Sequence, residues 1–485
     1  MNHRAIGRLI CASLIASAVG VVHAQGYGSI GQINGPGAPR GVFALSNARA
    51  ALQAPGYVDL LAGVMYTNNA FLTRNNLTGD GIGYAGLDIN YIHLGPELTI
   101  DALGNVNRIE YFKGSFPGTF YGEFVGSALW GKQTDIFQWL VSDAFGEGML
   151  DPLSAPTPAN LQWINNARTG PYLNFPLGIA NRLSLFGLYS RTMFQLSPFD
   201  SQSFEGGASF NHAFSPASSF SVQATDIRTN FLNPEVAKGF PGAAHGYDTR
   251  EASVGYRSDL PRTQFSIFAG YNTVDYGGRL RGAPLGLLEF RRRVSPSSSV
   301  FLVAETGYST LGQSLGSPTS VIGLGGQQQN LESGFGAYAN TASPEPYKNS
   351  SGSLGWTFQE GRTTLTVLGT ARDQRFVEQT SFDQTSGSVS AALDRALGPR
   401  FYVTLQGTET YGHFGHISTE NHITTVHLAL SRQYRKATLS AYAQWLHEGS
   451  QSATPNPALA SYNDERVGIA FTYDLIGHRT LGPRL

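Results

Sequence analysis

The sequence predicts an all-β fold: a transmembrane antiparallel up-and-down β-barrel of about 20 strands, with eighteen as the alternative count. Three observations predict it. Alternating segments of about 11–14 residues recur along the chain, longer than the roughly 5–6 residues usual for soluble strands. Tight turns and longer polar loops take turns between them, as short periplasmic turns and longer extracellular loops do in a membrane barrel. The composition suits neither a soluble domain nor a helix bundle. Of 485 residues 14% are charged, 12% are aromatic and 58 are glycine, where about 25% charged and about 7% glycine are usual.

Hydrophobic residues total 41% and mean hydropathy is slightly negative. A bundle of membrane helices needs long apolar runs, and disorder lacks aromatics. A barrel needs only one apolar face per strand, so a low average is compatible with a membrane location. The net charge of -1 gives no electrostatic case for nucleic acid.

Residues 1–24 read as a cleaved signal peptide. Arg4 and Arg8 form the positive region, Leu9 to Val22 the apolar core, and Val22-His23-Ala24 the cleavage site. The one cysteine, Cys11, lies within it, so the mature chain is expected to lack thiol chemistry. Residues 25–56 are read as a periplasmic extension with a short helix near 42–52, too small for the plug of a TonB-dependent transporter. The barrel is expected over 57–475 and a C-terminal tail over 476–485.

Strands are expected at 57–69, 82–94, 97–112, 116–131, 134–145, 161–177, 182–193, 201–213, 218–229, 247–259, 262–274, 281–294, 298–309, 347–358, 362–374, 382–396, 400–412, 419–433, 436–448 and 462–474. Residues 436–448 illustrate the pattern: Leu439, Ala441, Ala443 and Trp445 share one face, Ser440, Tyr442 and Gln444 the other. Turn chemistry such as Ser215-Pro216-Ala217-Ser218 and Leu397-Gly398-Pro399-Arg400 separates consecutive pairs. Longer loops fall near 70–81, 145–160, 230–246, 310–345 and 449–461. The loop at 310–345 is the longest and holds apolar stretches, so it either enters the lumen or forms an extra hairpin outside. Trp139, Trp163, Trp356 and Trp445 suit the aromatic girdles at the membrane interfaces.

A charge on the lipid face near midplane costs roughly 2–4 kcal/mol. Glu289 and Arg291 should therefore face the lumen, as should Glu251 and Arg257. They either form a solute-selecting charged ring or brace the lumen as ion pairs. Tyr402, Gln406, Tyr442 and Gln444 lie on strands two apart and are expected inside. Rings stack on apolar sugar faces and amides bond hydroxyls, so these four are candidate solute-lining residues. His413 and His416 are placed in a loop, with His422 and His427 beyond, and no Cys or carboxylate cluster accompanies them. No metal centre or other cofactor is expected. The sequence holds no G-x-S-x-G elbow and no H-E-x-x-H, so an enzyme is not expected.

Arg466-Val467-Gly468-Ile469-Ala470-Phe471-Thr472-Tyr473 resembles the last-strand signal read by the bacterial barrel-assembly machinery, although a tail follows it. Three further stretches resemble outer-membrane β-barrels of the "beta-barrel porin 2" type. They are Val64-Met65-Tyr66-Thr67-Asn68-Asn69-Ala70-Phe71 in the first strand, Gly282-Ala283-Pro284-Leu285 with Arg291-Arg292-Arg293-Val294-Ser295-Pro296, and Ser461-Tyr462-Asn463-Asp464-Glu465-Arg466-Val467 before the last strand. That family is often encoded beside exopolysaccharide or exosortase genes. The resemblance implies a bacterial outer-membrane barrel tied to surface polysaccharide, with no assigned active site. The expected function is a porin-like channel or export conduit for polysaccharide or another polar solute. The alternative is a non-conducting barrel that binds polysaccharide or scaffolds an export complex. Expected partners are outer-membrane lipid, the assembly machinery and polysaccharide.

Overall fold

The computed structural model describes residues 57–476, except 133–134, 152–153, 234–245, 311–339, 342, 344, 416–418 and 453–460. The signal, the extension with its expected helix, residues 477–485 and most of the 310–345 loop lie outside the described residues. The strands in chain order are β1 (Tyr57–Thr67), β2 (Asp80–Leu94), β3 (Leu98–Tyr111), β4 (Thr119–Trp130), β5 (Phe137–Met149), β6 (Leu161–Pro176), β7 (Asn181–Phe194), β8 (Ser201–Ser215), β9 (Ser218–Phe231), β10 (Tyr247–Asp259) and β11 (Thr263–Tyr276). Then come β12 (Arg279–Ser295), β13 (Ser298–Ser309), β14 (Asn340–Thr341), β15 (Tyr347–Glu360), β16 (Thr363–Phe376), β17 (Gln384–Ala396), β18 (Phe401–Phe414), β19 (Thr419–Gln433), β20 (Ala437–Ser452) and β21 (Tyr462–Ile476).

Apart from the two-residue β14, these are twenty long strands, at the positions that the alternation predicts. Each pairs antiparallel with its neighbour in the chain, and β13 pairs with β15 across β14. The wall closes between β1 and β21, from Val58↔Ile476 to Thr67↔Arg466. Closure satisfies the edges that a membrane would leave without partners. Short turns such as 216–217, 296–297 and 361–362 gather at one end and the longer loops at the other, where 277–278 is also a short turn.

Side chains are sorted inside out relative to a soluble protein. The exposed large hydrophobic residues include Leu60 and Val64 on β1, Val254 on β10, Leu405 on β18, Leu428 and Leu430 on β19, and Val467, Ile469 and Phe471 on β21. The buried polar residues include Asp59 and Thr67 on β1, Gln223 on β9, Ser253 on β10, Asn272 on β11, Ser353 on β15, and Asp464 and Arg466 on β21. On each strand the two sets occupy alternate positions, so the apolar set faces outward and the polar set lines the lumen. Water selects the reverse arrangement and hydrocarbon selects this one.

The tryptophans expected at the interfaces lie at two levels. Trp139 and Trp356 sit toward the short-turn end, and their indole N–H groups donate to Thr169 Oγ1 at 2.8 Å and Ser298 Oγ at 2.7 Å. Trp163 and Trp445 lie nearer the long-loop end. Above the apolar band at that end the outer face becomes ionic. Arg250 pairs with Asp226, and Arg228 with Asp248, each at 3.2 Å between β9 and β10. Arg108 pairs with Glu110 at 2.6 Å and Arg375 with Asp373 at 2.7 Å.

Candidate functional site

The lumen wall from β18 through β21 to β2 carries four of the predicted lining residues. Tyr402 and Gln406 on β18, and Tyr442 and Gln444 on β20, all occupy inward positions. Directly paired residues on one sheet face stand about 5 Å apart. One such row runs Gln406↔His427↔Gln444↔Arg466↔Thr67↔Asp80 across six strands. At its centre Arg466 Nε donates to Asp464 Oδ2 at 2.6 Å, both side chains being sealed from solvent at 2% and 0% exposure. Thr67 Oγ1 donates to the other carboxylate oxygen at 2.5 Å. From the sequence, Arg466 is read as the start of the assembly signal and Asp464 only as part of the 461–467 resemblance, with no pairing between them. Its trace was available in the chain, because Asp464 and Arg466 are two apart and so share a face.

Toward the short-turn end, Tyr442 one inward step from the row and Tyr84 two steps from it lie flat on the wall. A Cβ at Gly468 would come within 2.5 Å of the Tyr442 ring, and one at Gly63 within 2.4 Å of the Tyr84 ring. Glycine at those positions lets each ring lie against the backbone. The two hydroxyls approach to 3.5 Å, and the His427 ring stands 5.7 Å from Tyr442. Beside them Gln444 is buried, and neither its amide nitrogen nor its amide oxygen has a hydrogen-bond partner among the described residues. A buried primary amide left without partners is costly.

The opposite wall carries the predicted charges. Arg257 and Glu289 lie in one row, Arg257↔Ser266↔Glu289, and Arg257 Nε donates to Asp259 Oδ2 at 2.6 Å. Glu305 on β13 accepts from Asn349 Nδ2 at 2.9 Å and Ser351 Oγ at 3.0 Å, while Arg372 Nε donates to Asn349 Oδ1 at 3.1 Å. Arg291 lies one inward step from Glu289 toward the short-turn end. A further lumen pair, Arg168 with Glu205, joins β6 to β8. Glu251 is buried and inward but stands apart. It lies six positions from Arg257, about 20 Å along a strand, so the predicted charges form no single ring. They brace different levels of the wall.

Histidine placement needs one correction. His413 lies on β18, which continues to Phe414, and not in a loop. Its ring faces outward toward Glu420 at 4.0 Å, as His422 faces Glu409 at 3.9 Å. The strand runs on because Phe414 continues the inward alternation of Thr410 and Gly412 past the predicted end at 412. His416 lies outside the described residues, and among those described no group of metal ligands forms.

At the long-loop end, Tyr247, Val274, Tyr276, Tyr308 and Val377 form a buried cluster. Beside it the fully buried Glu345 accepts backbone N–H groups from Glu378 and from Gln379, the latter at 3.1 Å to each carboxylate oxygen. Burial pushes the Glu345 carboxyl above its ordinary range, although those donors and Arg281 pull it down.

A closed barrel with an apolar exterior, a polar interior and two aromatic levels has the construction of an outer-membrane β-barrel. No protein-family model and no curated protein sequence matches the chain. Among solved structures it is similar to the siderophore receptor PirA from Acinetobacter baumannii, at 9% identity over 87% of this chain and 81% of that one, with a TM-score of 0.44. It is also similar to PirA from Pseudomonas aeruginosa, at 10% identity over 87% and 81%, TM-score 0.38. A third is Pseudomonas aeruginosa OccK2 (OpdF) in complex with glucuronate, at 9% identity over 87% and 97%, TM-score 0.37.

Proposed function

We propose that this barrel is a channel or export conduit for a polysaccharide or another polar, sugar-like solute in the bacterial outer membrane. The observation that carries the reading is the buried Gln444 amide, without partners among the described residues and flanked by Tyr442, Tyr84 and His427 on the lumen wall. On this reading a sugar reaches that wall by displacing the side chains packed over it, and then offers hydroxyls for the amide and an apolar ring face for the tyrosines. The same reading takes residues 1–24 as a cleaved signal and β21 as the strand handed to the assembly machinery. It also places the chain with the "beta-barrel porin 2" proteins of polysaccharide loci. A second reading, a non-conducting barrel that binds or anchors polysaccharide, is favoured by the buried lumen ion pairs Arg466–Asp464 and Arg168–Glu205, which fill bore space.

Planar-bilayer recordings of the refolded protein decide between them. Steady conductance, blocked by neutral oligosaccharides and less so by the Gln444→Leu variant, is the outcome expected for a sugar conduit. Block by charged polymers alone removes the sugar assignment. Silence from a folded protein that still binds oligosaccharide selects the second reading.

A further inference from the structure

One level of the charged wall is not neutralised. The Arg293 backbone N–H donates to the Arg262 carbonyl at 2.8 Å, so the pairing of β11 with β12 runs one residue past Thr263↔Arg292. Ser266 and Phe268 are buried inward residues of β11, and the same parity puts Arg262 inward. Arg293 shares the inward face of β12 with Glu289 and Arg291. Directly paired Arg262 and Arg293 stand about 5 Å apart, and Arg291 is the diagonal neighbour of Arg262, about 7–8 Å away. Three guanidinium groups therefore share one patch of the lumen wall beside the short turns.

Their charges add. Arg293 acts on Arg262 and on Arg291 as a like charge. The neighbouring carboxylates are engaged by a fourth arginine: Asp259 accepts from Arg257 Nε at 2.6 Å, and Arg257 is the charge that acts most strongly on Glu289. Four guanidinium groups facing two carboxylates leave a surplus of two positive charges. Arg262 Nε and Nη1 are covered from solvent and have no hydrogen-bond partner among the described residues. A brace gives each arginine its own carboxylate, as in Arg466–Asp464 and Arg168–Glu205. A cluster of like charges with unmet donors is instead relieved by a bound anion, and the planar guanidinium fork fits an oxyanion in bidentate fashion. All three residues keep partial exposure, unlike the buried Gln444. Next to them Phe301 pairs with Arg291, and a Cβ at Gly355 would collide with its ring, which lies flat along the wall. An apolar ring face beside an oxyanion site suits a carboxylate carried on a sugar ring.

We infer that Arg262, Arg291 and Arg293 form an oxyanion site at the short-turn mouth of the lumen, and that it takes the carboxylate of an acidic sugar. The inference rests on the sugar-conduit reading for the kind of solute, and the site itself is tested separately. Calorimetric titration of the refolded barrel in lipid nanodiscs compares trigalacturonate, the neutral maltotriose and inorganic phosphate. Trigalacturonate should bind about tenfold tighter than maltotriose or more, and Arg262→Gln and Arg293→Gln should each remove most of that preference, as loss of a charge-assisted bond requires. Maltotriose binding should not change. Arg292→Gln, on the outward face of the same strand, should alter neither sugar. Urea unfolding separates a site from a brace. Each glutamine removes a like-charge repulsion, so both variants should unfold at or above the parent midpoint. A lower midpoint makes the arginines braces and overturns the site. Equal affinity for the two sugars, or trigalacturonate binding that neither variant weakens, overturns it as well. Phosphate bound as tightly as trigalacturonate keeps the oxyanion site and overturns the acidic-sugar assignment. Binding that follows the expected pattern in a barrel silent in planar bilayers keeps the site and rejects the conduit.

Discussion

The barrel has two seams that invite comparison, β21–β1 and β4–β5. The first joins the ends of the wall, with Thr67 and Asp464 397 positions apart, yet it is paired along nearly the full length of β1. The second joins chain neighbours and stops half-way up. Nearness in the chain lowers only the entropy of loop closure, so register must be held by side chains. At the closing seam both faces cooperate. Outside, Leu60, Val64, Val467 and Ile469 give an unbroken apolar surface. Inside, tyrosines cover Gly63 and Gly468, and Asp464, Arg466 and Thr67 interlock. At β4–β5 the outer face carries Asp143, which accepts from Asn165 Nδ2 at 2.8 Å, and Glu147, which is committed to a backbone N–H.

The contrast is broken most severely at Arg466. Arg466→Ala leaves Asp464 buried without its cation and should cost about 3–5 kcal/mol. Urea unfolding in lipid vesicles, read by tryptophan fluorescence, measures it. Replacing both residues, as Asp464→Leu with Arg466→Met, should recover most of that loss. Next come charges placed on the two outer faces. Ile469→Arg beside the closing seam should cost about 2–4 kcal/mol. Val141→Arg should cost less, because the Asp143 carboxylate lies two residues away on the same face; equal losses would show that Asp143 gives no help. A smaller change, about 1–2 kcal/mol, is expected for Glu147→Ala, which frees the Gly122 amide. Hydrogen exchange at Gly122 should then quicken while the closing seam stays protected. Smallest is Trp139→Phe, about 1 kcal/mol for one indole hydrogen bond, seen as a slight shift of the same unfolding curve.

Strand number, strand faces and turn positions were legible because period-two alternation is a local property, and hydrocarbon outside the wall enforces it. Strand ends were legible to within a few residues, and β18 outran its predicted end because Phe414 continues the alternation. The same alternation puts the eight candidate residues at inward positions. Their grouping was not legible. Glu251 and Arg257 share a strand face, but only cross-strand register reveals that Glu289 lies level with one and not the other. The pairing of β14 with β5 was beyond reach, since no local pattern in a two-residue strand names a partner across the barrel.

The ionic lattice on the outer rim of β9 and β10 bears on how the protein sits in its membrane. Below Arg250, β10 offers only Ala252, Val254 and Tyr256 outward, and below Asp226, β9 offers Ala224, Val222 and Phe220. Guanidinium and carboxylate groups cannot follow the acyl chains inward, so the hydrocarbon on this flank must end early. Where a flank's apolar band is shorter than the hydrocarbon, compression costs fractions of a kcal/mol per Å of mismatch. A thinner membrane relieves that compression and a thicker one aggravates it. The lattice thus acts as a depth gauge for this flank, fixing how far the acyl chains can climb it.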